Sequence, residues 1–284
     1  MAPDRATARV ATKRSPALSL VIPCYNERNR LGPVVHAALD AVAAWPGGAE
    51  LILVDDGSID DTWALIRDLA ARATGPVQCV RLVRNRGKGA AVRAGFAVAR
   101  GAVWGYADAD GAAHWSGLAR LARALDDPAI DAAVGERNGR DVVTSPWRRV
   151  LGAGFRTAAG LLASTGVSDT QCGLKLFRAH AIAPLLDRLA IDGYAFDVEL
   201  LHLLRASGAG IRGVNVPWTH QPGSRVRPLH DGARMLADLA VRWLRERSRP
   251  QSDGATLRLV PVSGRRYTRH AAPSRDAAPV TTVA

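Results

Sequence analysis

The sequence predicts an α/β fold in which a predominantly parallel sheet is flanked by helices on both faces. Two observations lead to this class. From residue 17 onward, short apolar runs of strand length alternate regularly with segments of helical spacing, and such alternation is typical of parallel strands joined by crossover helices. In addition, 48% of the 284 residues are hydrophobic, which is enough for one sizeable core.

Four strands are predicted in the first half of the chain, over residues 18–23, 51–54, 78–83 and 102–106. Each is a short apolar run followed by turn-forming residues. The helices that connect them are expected at 31–44, 60–73 and 87–99. In parallel sheets of this kind, ligands bind at the carboxyl ends of the strands.

The pattern is looser after residue 132. Further strands are predicted at 132–136, 173–177 and 211–216, and further helices at 146–164, 196–207 and 229–247. The last helix is amphipathic, with an apolar stripe formed by Leu236, Leu239, Ala240, Trp243 and Leu244. Two interpretations of this stripe stay open: a helix that caps the domain core, or one that lies in a membrane interface.

Both ends of the chain are basic and lack periodicity. Residues 1–16 carry four Lys or Arg against one Asp, and residues 248–284 carry six Arg against two Asp, so the tails supply +3 and +4 of the net charge of +12. We predict disordered tails at 1–16 and 248–284 around a single folded domain at 17–247. Basic tails suit an anionic membrane surface or nucleic acid, and composition does not choose between the two.

Composition and motifs exclude several classes of protein. No apolar run reaches the ~18 residues that would span a bilayer, and the N-terminus lacks the apolar centre of a secretory signal, so we expect a cytoplasmic location. Cys24, Cys79 and Cys172 are far apart and without metal-ligand spacing, which indicates reduced thiols. A G-x-G-x-x-G fingerprint is absent after the first strand, which argues against a dehydrogenase.

Two aspartates directly after the fourth predicted strand are the strongest chemical signal. Asp108 and Asp110 are separated by one alanine, so both carboxylates can approach one hard cation. A divalent metal held there would bridge diphosphate oxygens and neutralise a departing nucleoside diphosphate. An isolated Asp-x-Asp is weak on its own, because Asp is also common in turns.

Two further polar clusters follow the first and second strands. Asp55, in Val-Asp-Asp-Gly-Ser, offers an acceptor to a nucleobase N–H or a ribose hydroxyl, and Asp56 either supports it or caps the following helix. After the first strand, Tyr25 offers an apolar face to a base and Glu27 offers an acceptor. These side chains are expected to line a nucleotide pocket.

A glycine-rich turn precedes the third predicted helix. In Asn-Arg-Gly-Lys-Gly at 85–89, backbone N–H groups and Lys88 are expected near a phosphate. The turn is not a phosphate-binding P-loop, because the first glycine and the Ser or Thr after the lysine are missing.

Taken in order, these motifs resemble glycosyltransferase family 2, whose members share the GT-A (Rossmann-like) fold. The similarity continues through the sequences DTQCGLKLF at 169–177, YAFDVELL at 194–201, VPWT at 216–219 and GSRV at 223–226. It covers about residues 17–244 and looks most like the dolichyl- and polyprenyl-phosphate β-glucosyltransferase branch, close to the polyprenyl-phosphate mannosyltransferases.

The resemblance implies a role for each matched residue. The nucleotide-sugar donor would be bound by seven of them: Pro23, Tyr25, Glu27, Asp55, Asp56, Lys88 and Asp108. Mg²⁺ or Mn²⁺ would be held by Asp108 and Asp110. The acceptor phosphate would lie near Arg137, Lys175 and Arg225, and the catalytic set would comprise both aspartates with Arg137 and Arg225.

The sequence departs from the mannosyl branch at one position of the metal shell. Ala112 stands where that branch has a glutamine, so water or donor oxygens would complete the coordination. This difference favours the glucosyl branch. His114 is an open alternative as a ligand, although surface and helix-start roles are commoner for a lone histidine.

The implied reaction is an inverting transfer of glucose from UDP-glucose to a polyprenyl- or dolichyl-type phosphate. A phosphate is already anionic at neutral pH and needs no general base, whereas a hydroxyl acceptor would need one, and Asp169 is the candidate. The alternatives are GDP-mannose as donor, a hydroxyl acceptor, or a non-catalytic nucleotide-sugar-binding or basic scaffold protein. The lipid acceptor implies peripheral attachment to the cytoplasmic face of a membrane, and no nucleic-acid partner is expected.

Overall fold

The computed structural model describes residues 15–137, 166–219, 221, 228–247 and 280–283. Its centre is one sheet with the strand order β7-β5-β6-β4-β1-β2-β3-β8. The strands in the described residues are β1 Leu18–Cys24, β2 Ala49–Asp55, β3 Val77–Leu82, β4 Val103–Ala107, β5 Ala132–Arg137, β6 Leu174–Arg178, β7 Ile211–Val216 and β8 Val280–Val283.

Most strand pairs in the sheet are parallel. Strand β1 pairs in parallel with β2 and β4, β2 with β3, and β5 with β7. Strand β6 is antiparallel to both β4 and β5, and β8 is antiparallel to β3. The prediction of a predominantly parallel sheet is therefore confirmed. Because β5 has the same direction as β4, the carboxyl ends of β1, β2, β4 and β5 lie at one edge of the sheet.

Seven α-helices surround the sheet in the described part of the chain. They are α1 Leu31–Ala43, α2 Thr62–Arg72, α3 Lys88–Val98, α4 Ser116–Ala124, α5 Ala179–Ile182, α6 Phe196–Ala206 and α7 Pro228–Arg247. Helix α5 continues as a 3-10 helix over Ala183–Arg188. Most helices predicted within the described ranges agree to within one or two residues, which is the usual uncertainty of a helix end. Helix α4 was not predicted, although Leu118 and Leu121 on its buried side follow helical spacing.

Strand β2 illustrates why the sheet is covered on both faces. All seven of its residues are buried. Leu51 and Leu53 pack into the apolar cluster that includes α1 and α4, whereas Ile52 and Val54 pack into the cluster that includes α3 and α6. Alternate side chains of a strand point to opposite faces, so a continuous apolar run places core residues on both sides.

Helix α7 packs against the core rather than standing apart from it. Met235 and Leu239 are buried in the same cluster as α3 and α6, and Arg242 forms an ion pair of 2.7 Å with Glu199 of α6. These contacts favour the interpretation of α7 as a cap on the core. The side chains of Trp243 and Leu244 lie outside the described residues. Among the described helices, none has the length and apolar character needed to cross a bilayer.

The C-terminal tail contributes a strand, in contrast to the disorder predicted over 248–284. Strand β8 pairs antiparallel with β3, from Cys79 opposite Val283 to Leu82 opposite Val280. Its sequence, Val-Thr-Thr-Val, consists of β-branched residues, which favour strands. Residues 1–14, 138–165 and 248–279 lie outside the described ranges, and with them the predicted helix at 146–164. The limits of the catalytic domain stay predictions.

Candidate active site

Asp108 follows strand β4 and lies at the carboxyl edge of the sheet. The Asp108 N–H donates to the carbonyl of Gly173 at 2.9 Å, just before β6 begins. A Cβ atom added at Gly173 would lie 2.0 Å from Oδ2 of Asp108, so only glycine leaves room for this carboxylate. The Asp108 side chain is 33% exposed. It therefore remains accessible to a ligand.

The second aspartate of the pair, Asp110, lies in the loop after β4. Its Oδ1 accepts a hydrogen bond of 2.9 Å from the N–H of Ala112. Burial raises the pKa of the Asp110 carboxyl and the charge of Asp108 raises it further, while the Ala112 N–H, Lys88 and Arg30 act in the opposite direction. The charges of the two carboxylates therefore repel each other, and a cation between them would relieve this repulsion.

The donor set of this pair fits a hard divalent cation. Carboxylate oxygens are preferred ligands of Mg²⁺, which commonly keeps several waters and one or two carboxylates. Within the described ranges, no group of three or more His, Cys, Asp or Glu side chains converges on a metal position. Asp108 and Asp110 would thus be the protein ligands, and water or donor oxygens would complete the coordination.

His114, the alternative metal ligand, contacts a threonine side chain instead. It is exposed, and its Nε2 lies 2.7 Å from Oγ1 of Thr219. Its N–H donates to the carbonyl of Pro217 at 3.0 Å, and the Thr219 N–H donates to the carbonyl of Ala112 at 2.9 Å. His114 therefore joins the loop after β4 to the segment after β7, and these contacts favour a structural role.

Lys88, at the start of α3, connects the site to a buried carboxylate. Its Nζ lies 2.9 Å from Oδ1 of Asp108 and 3.2 Å from Oδ2 of Asp197. It also lies 5.2 Å from the ring centroid of Tyr106. Burial works to lower the pKa of the Lys88 ammonium, but Asp108 and Asp197 outweigh burial and raise that pKa above its ordinary value. Lys88 is therefore a fixed positive charge beside the pair of carboxylates that is expected to bind the metal.

The structure corrects the prediction that Lys175 contacts the acceptor. The Lys175 side chain is 0% exposed, and its Nζ lies 2.6 Å from Asp197 Oδ1 and 2.6 Å from the carbonyl oxygen of Cys172. A fully buried ammonium with these partners cannot reach a bound acceptor. The sequence did not reveal this because β6 is buried on both faces, so Lys175 points into the core although it alternates with Leu174 and Leu176.

Asp55 is buried at the end of β2, with one oxygen still able to accept a hydrogen bond. Its Oδ1 accepts from the N–H of Ser58 at 3.0 Å. Its Oδ2 lies 3.0 Å from Nε of Arg81, but outside the direction of that N–H, so it forms an ion pair without a directed hydrogen bond. The Asp55 side chain is 0% exposed, so the expected contact to a nucleobase stays a prediction.

Asp56 holds the glycine-rich turn rather than facing a ligand. Its two carboxylate oxygens accept hydrogen bonds from the N–H groups of Arg86, at 2.9 Å, and Gly87, at 2.7 Å. Burial raises the pKa of Asp56 to about 6, although these two hydrogen bonds lower it, and Asp55 and Asp192 add to the increase. Its role in the structure is to support the turn at 85–89, a contact that neither sequence interpretation of Asp56 included.

The backbone of the glycine-rich turn does not face a phosphate, contrary to expectation. The N–H groups of Gly89 and Ala90 donate to the carbonyl of Asp192, at 2.7 and 3.2 Å. Gly87 has a φ of +113°, and a Cβ added there would lie 2.6 Å from the same carbonyl oxygen. The helix N-terminus is therefore occupied by the loop before α6, and Lys88 contributes through its side chain alone.

The residues after β1 are locked by local pairs. Glu27 binds the guanidinium of Arg30 through both oxygens, at 2.7 and 2.8 Å. Asn26, with a φ of +52°, donates its N–H to Oγ of Ser58 at 2.8 Å and accepts at Oδ1 from the N–H of Ile59. The exits of β1 and β2 are thus joined. Pro23 and Tyr25 are half-buried at this edge.

Arg137 ends β5 with its guanidinium fixed by two contacts. Asp169 binds it through both oxygens, at 2.6 and 2.9 Å, and the ring centroid of Trp218 lies 5.6 Å from Cζ. Burial works to lower the pKa of the guanidinium, but Asp169, and to a smaller extent Asp108, raise it. Arg137 is 29% exposed, and its Nη1 group makes no hydrogen bond within the described chain, which leaves it available to an anion.

Asp169 is an unsuitable general base in this arrangement. Burial works to raise the pKa of its carboxyl, but the hydrogen bonds and charge of Arg137 outweigh burial and hold that pKa below the ordinary value. Its Oδ1 also accepts from the N–H of Gln171 at 3.1 Å. The Arg137–Asp169 pair therefore offers a bound substrate a cation rather than a general base.

The structure gathers most of the expected residues at one edge and adds one that sequence reasoning missed. Asp55, Asp108, Asp110 and Arg137 follow β2, β4 and β5 at the carboxyl edge, whereas Arg225 lies outside the described residues. The added residue is Asp197, which is 1% exposed and joins Lys88 and Lys175. A signal was present, because Asp197 and Glu199 are acidic residues in an otherwise apolar helical run.

The site has a carboxylate pair at the carboxyl edge of the sheet, with the expected acceptors for a nucleoside on one side and an arginine on the other. Such an arrangement suits transfer from a nucleotide-sugar donor. This is the chemistry of GT-A glycosyltransferases. The chain belongs to glycosyltransferase family 2, since the model described as Glycosyl transferase family 2 matches residues 19–186, more than half of its length. The predicted class of enzyme, a glycosyltransferase, is thereby confirmed.

Several relatives in this family are similar over most of the chain. Dolichyl-phosphate beta-glucosyltransferase from Drosophila melanogaster is 34% identical over 243 residues, which cover 80% of this chain and 74% of that protein. The protein of the same name from Mus musculus is 35% identical, with 80% and 75% covered. That from Saccharomyces cerevisiae is 32% identical over 246 residues, with 79% and 73% covered. These similarities confirm the branch that the motifs resemble.

Solved structures with the same fold include glucosyl-3-phosphoglycerate synthase from Mycobacterium tuberculosis, in complex with Mn²⁺, UDP and glucosyl-3-phosphoglycerate. The TM-score is 0.55 at 22% identity, over 84% of this chain and 82% of that one. The complex of the same enzyme with Mg²⁺ and UDP also has a TM-score of 0.55. At this level of identity the similarity concerns the fold, and it confirms the predicted GT-A architecture.

Proposed function

We propose that this chain transfers glucose from UDP-glucose, with inversion, to a polyprenyl- or dolichyl-type phosphate. The names of the relatives, dolichyl-phosphate beta-glucosyltransferase, support both the glucosyl group and the lipid phosphate. The observation that carries the proposal is the Arg137–Asp169 pair. It fixes a cation at the carboxyl edge and, in the same contact, engages the carboxylate that a hydroxyl acceptor would require as a base.

The acceptor would attack in a single displacement at the anomeric carbon. A phosphate monoester oxygen is anionic at neutral pH, so it forms the new bond to carbon without losing a proton, while the bond to the nucleoside diphosphate breaks. Inversion of an α-linked donor gives a β-linked product. Arg137, through its free Nη1 group, would orient the phosphate by a charge-assisted hydrogen bond. Arg225 stays a predicted second contact.

The leaving group, a nucleoside diphosphate, would be stabilised at Asp108 and Asp110. A Mg²⁺ or Mn²⁺ ion held by these carboxylates would neutralise the charge that develops on the departing diphosphate. Lys88 is charged and 2.9 Å from Asp108, and would add positive charge on the same side. Asp55 would lie at the nucleobase or ribose end of the donor site, with Pro23, Tyr25 and Glu27 forming the neighbouring wall.

A partition assay tests the acceptor. Radiolabelled UDP-glucose is incubated with the protein, Mn²⁺ and a polyprenyl phosphate, and the label is followed into the organic phase. Transfer into the organic phase, dependent on the lipid phosphate, supports the proposal. Label in a polar product would instead establish the alternative of a hydroxyl acceptor, and absence of any transfer would favour the non-catalytic alternative.

A binding panel tests the donor. Thermal shifts are recorded with UDP, GDP and dTDP, each with and without Mn²⁺, because a ligand that binds the folded state raises its melting temperature. We expect the largest shift with UDP plus Mn²⁺. A larger shift with GDP would support the alternative donor, GDP-mannose.

The lipid substrate also requires contact with a membrane, and we propose peripheral attachment to its cytoplasmic face. The basic residues of the chain ends supply charge that anionic lipids attract. Co-sedimentation with anionic liposomes at moderate salt measures this attachment, with neutral liposomes as the control. Equal recovery in the supernatant with both lipids would contradict it.

A further inference from the structure

Four alternating charges run from the carboxyl edge of the sheet into the core. Asp108 contacts Lys88, Lys88 contacts Asp197, and Asp197 contacts Lys175, at 2.9, 3.2 and 2.6 Å. Exposure falls along the series, from 33% at Asp108 to 11%, 1% and 0%. The hydroxyl of Tyr106 donates to Oδ1 of Asp197 from the side. The series connects the expected metal ligand to residues that no ligand can touch.

We propose that Asp197 is a positioning residue that sets the charge of the cation site, with Lys175 as its counter-charge. This inference rests on the proposed role of Asp108 and Asp110 as metal ligands. Asp197 divides the attraction of Lys88 between two carboxylates, so that Lys88 does not neutralise Asp108 alone. The negative charge left at the edge is what draws a divalent cation.

The sum of the charges in this series of residues accounts for the proposed role of Asp197. Asp108, Lys88, Asp197 and Lys175 sum to zero, and Asp110 adds one negative charge at the edge. The neighbouring Arg137–Asp169 contact pairs one positive with one negative charge. Removing the charge of Asp197 would raise the total by one unit and would leave Lys88 with Asp108 as its single carboxylate partner in the described chain. Both changes oppose the binding of a cation.

The same contacts argue against Asp197 as a general base. Its Oδ1 is engaged by Lys175 and Tyr106, its Oδ2 lies next to Lys88, and its side chain is 1% exposed. A base must lie within hydrogen-bond reach of the substrate proton that it removes. Asp197 lies beneath the site, so it acts through Lys88 and not on the substrate.

A charge-restoring pair of substitutions tests the proposal. Mn²⁺ binding is measured by electron paramagnetic resonance titration in the presence of UDP, on the full chain, for wild type, Asp197→Asn, Lys175→Met and the double variant. We expect Asp197→Asn to weaken Mn²⁺ binding about tenfold, the scale of one unit charge acting over several ångströms in a partly buried site. In the double variant the sum of charges is restored but Lys88 still has Asp108 as its single carboxylate partner among the described residues, so we expect a Kd between those of wild type and Asp197→Asn.

Each outcome separates the proposal from its alternatives. An unchanged Kd in a folded Asp197→Asn variant would overturn it, and so would a double variant as weak as the single one, since the sum of charges would then have no effect on cation binding. If Asp197→Asn does not fold, Lys175→Met and the double variant are compared instead: tighter Mn²⁺ binding by Lys175→Met supports the proposal, and equal Kd values overturn it. Asp110→Ala serves as the reference: if it leaves wild-type Mn²⁺ binding intact, the proposed metal site has failed and not this inference.

Discussion

The Nζ atom of Lys88 lies 2.9 Å from Oδ1 of Asp108, so a fixed positive charge contacts one of the two carboxylates that are expected to bind the metal. The contact depends on neighbours on both sides. Gly173 leaves the space in which Asp108 lies, and Asp197 binds Lys88 from below. The expected behaviour of variants follows from these contacts.

Gly173→Ala should disable the site without unfolding the protein. The added methyl group would meet Asp108 Oδ2 at 2.0 Å, so the carboxylate must move away from its position beside Lys88. We expect kcat/KM for transfer to fall roughly a hundredfold or more, since displacement of a positioned group by about 1 Å can cost that much.

Gly32→Ala is the matched control for this substitution. Gly32 lies in α1, and a Cβ added there has no atom within 4 Å, so we expect unchanged activity and a gain in stability of about 0.5–1 kcal/mol from the higher helix propensity of alanine. Equal activity of Gly173→Ala and Gly32→Ala would contradict the assigned position of Asp108.

Arg137→Gln should act on the acceptor and not on the donor. Loss of a charge-assisted hydrogen bond to a phosphate is worth about 1.5–3 kcal/mol, so we expect KM for polyprenyl phosphate to rise roughly tenfold to a hundredfold with little change in KM for UDP-glucose. Arg72→Gln, on the exposed face of α2, is the control. A rise in the donor KM alone would place Arg137 in the donor site instead.

Asp169→Asn distinguishes a positioning role from a base. Since Arg137 holds the pKa of Asp169 below its ordinary value, this carboxyl is ionised throughout the neutral range and supplies no titration there. We expect the variant to lower acceptor affinity while the pH dependence of kcat keeps its shape. Disappearance of a limb of the pH–rate profile, with a large fall in kcat, would identify Asp169 as a base and the acceptor as a hydroxyl.

Asp56 should make stability depend on pH. Its pKa in the folded protein, about 6, lies above the unfolded value near 3.9, so the folded state binds the proton more tightly. The stability from this group is complete below about pH 4 and is lost as the pH rises through about 6. The shift corresponds to on the order of 3 kcal/mol.

Urea unfolding at pH 4.5 and 7.5, for wild type and Asp56→Asn, measures this contribution. We expect the stability of wild type relative to the variant to fall between the two pH values, because asparagine does not titrate. Parallel changes in both proteins would show that Asp56 has no raised pKa in the folded state.

The sheet was predictable because short runs of neighbouring residues in the sequence indicate each strand. Runs such as Leu-Ile-Leu-Val in β2 are buried on both faces, and two aspartate motifs follow strands whose carboxyl ends meet at one edge. The pairing of β8 with β3 was not predictable from the sequence, since it joins residues about 200 positions apart in the chain. Long-range pairing of this kind leaves no periodic signal in the sequence.

The partners of polar side chains were the other part that sequence could not supply. Lys175 and Lys88 both lie within motifs of the resemblance, yet Lys175 is fully buried and Lys88 reaches Asp108. Both lysines contact Asp197, which comes from a helix later in the chain. The N–H groups of α3 are likewise engaged by Asp192, a contact that only the folded chain reveals.

The most direct test is an anomalous difference map from crystals grown with UDP and Mn²⁺. We expect one strong peak within coordination distance of the carboxylates of Asp108 and Asp110, and its loss in crystals of Asp110→Ala. A Mn²⁺ peak bound by other residues, with Asp108 still held by Lys88 alone, would contradict the assignment of this pair as the metal site.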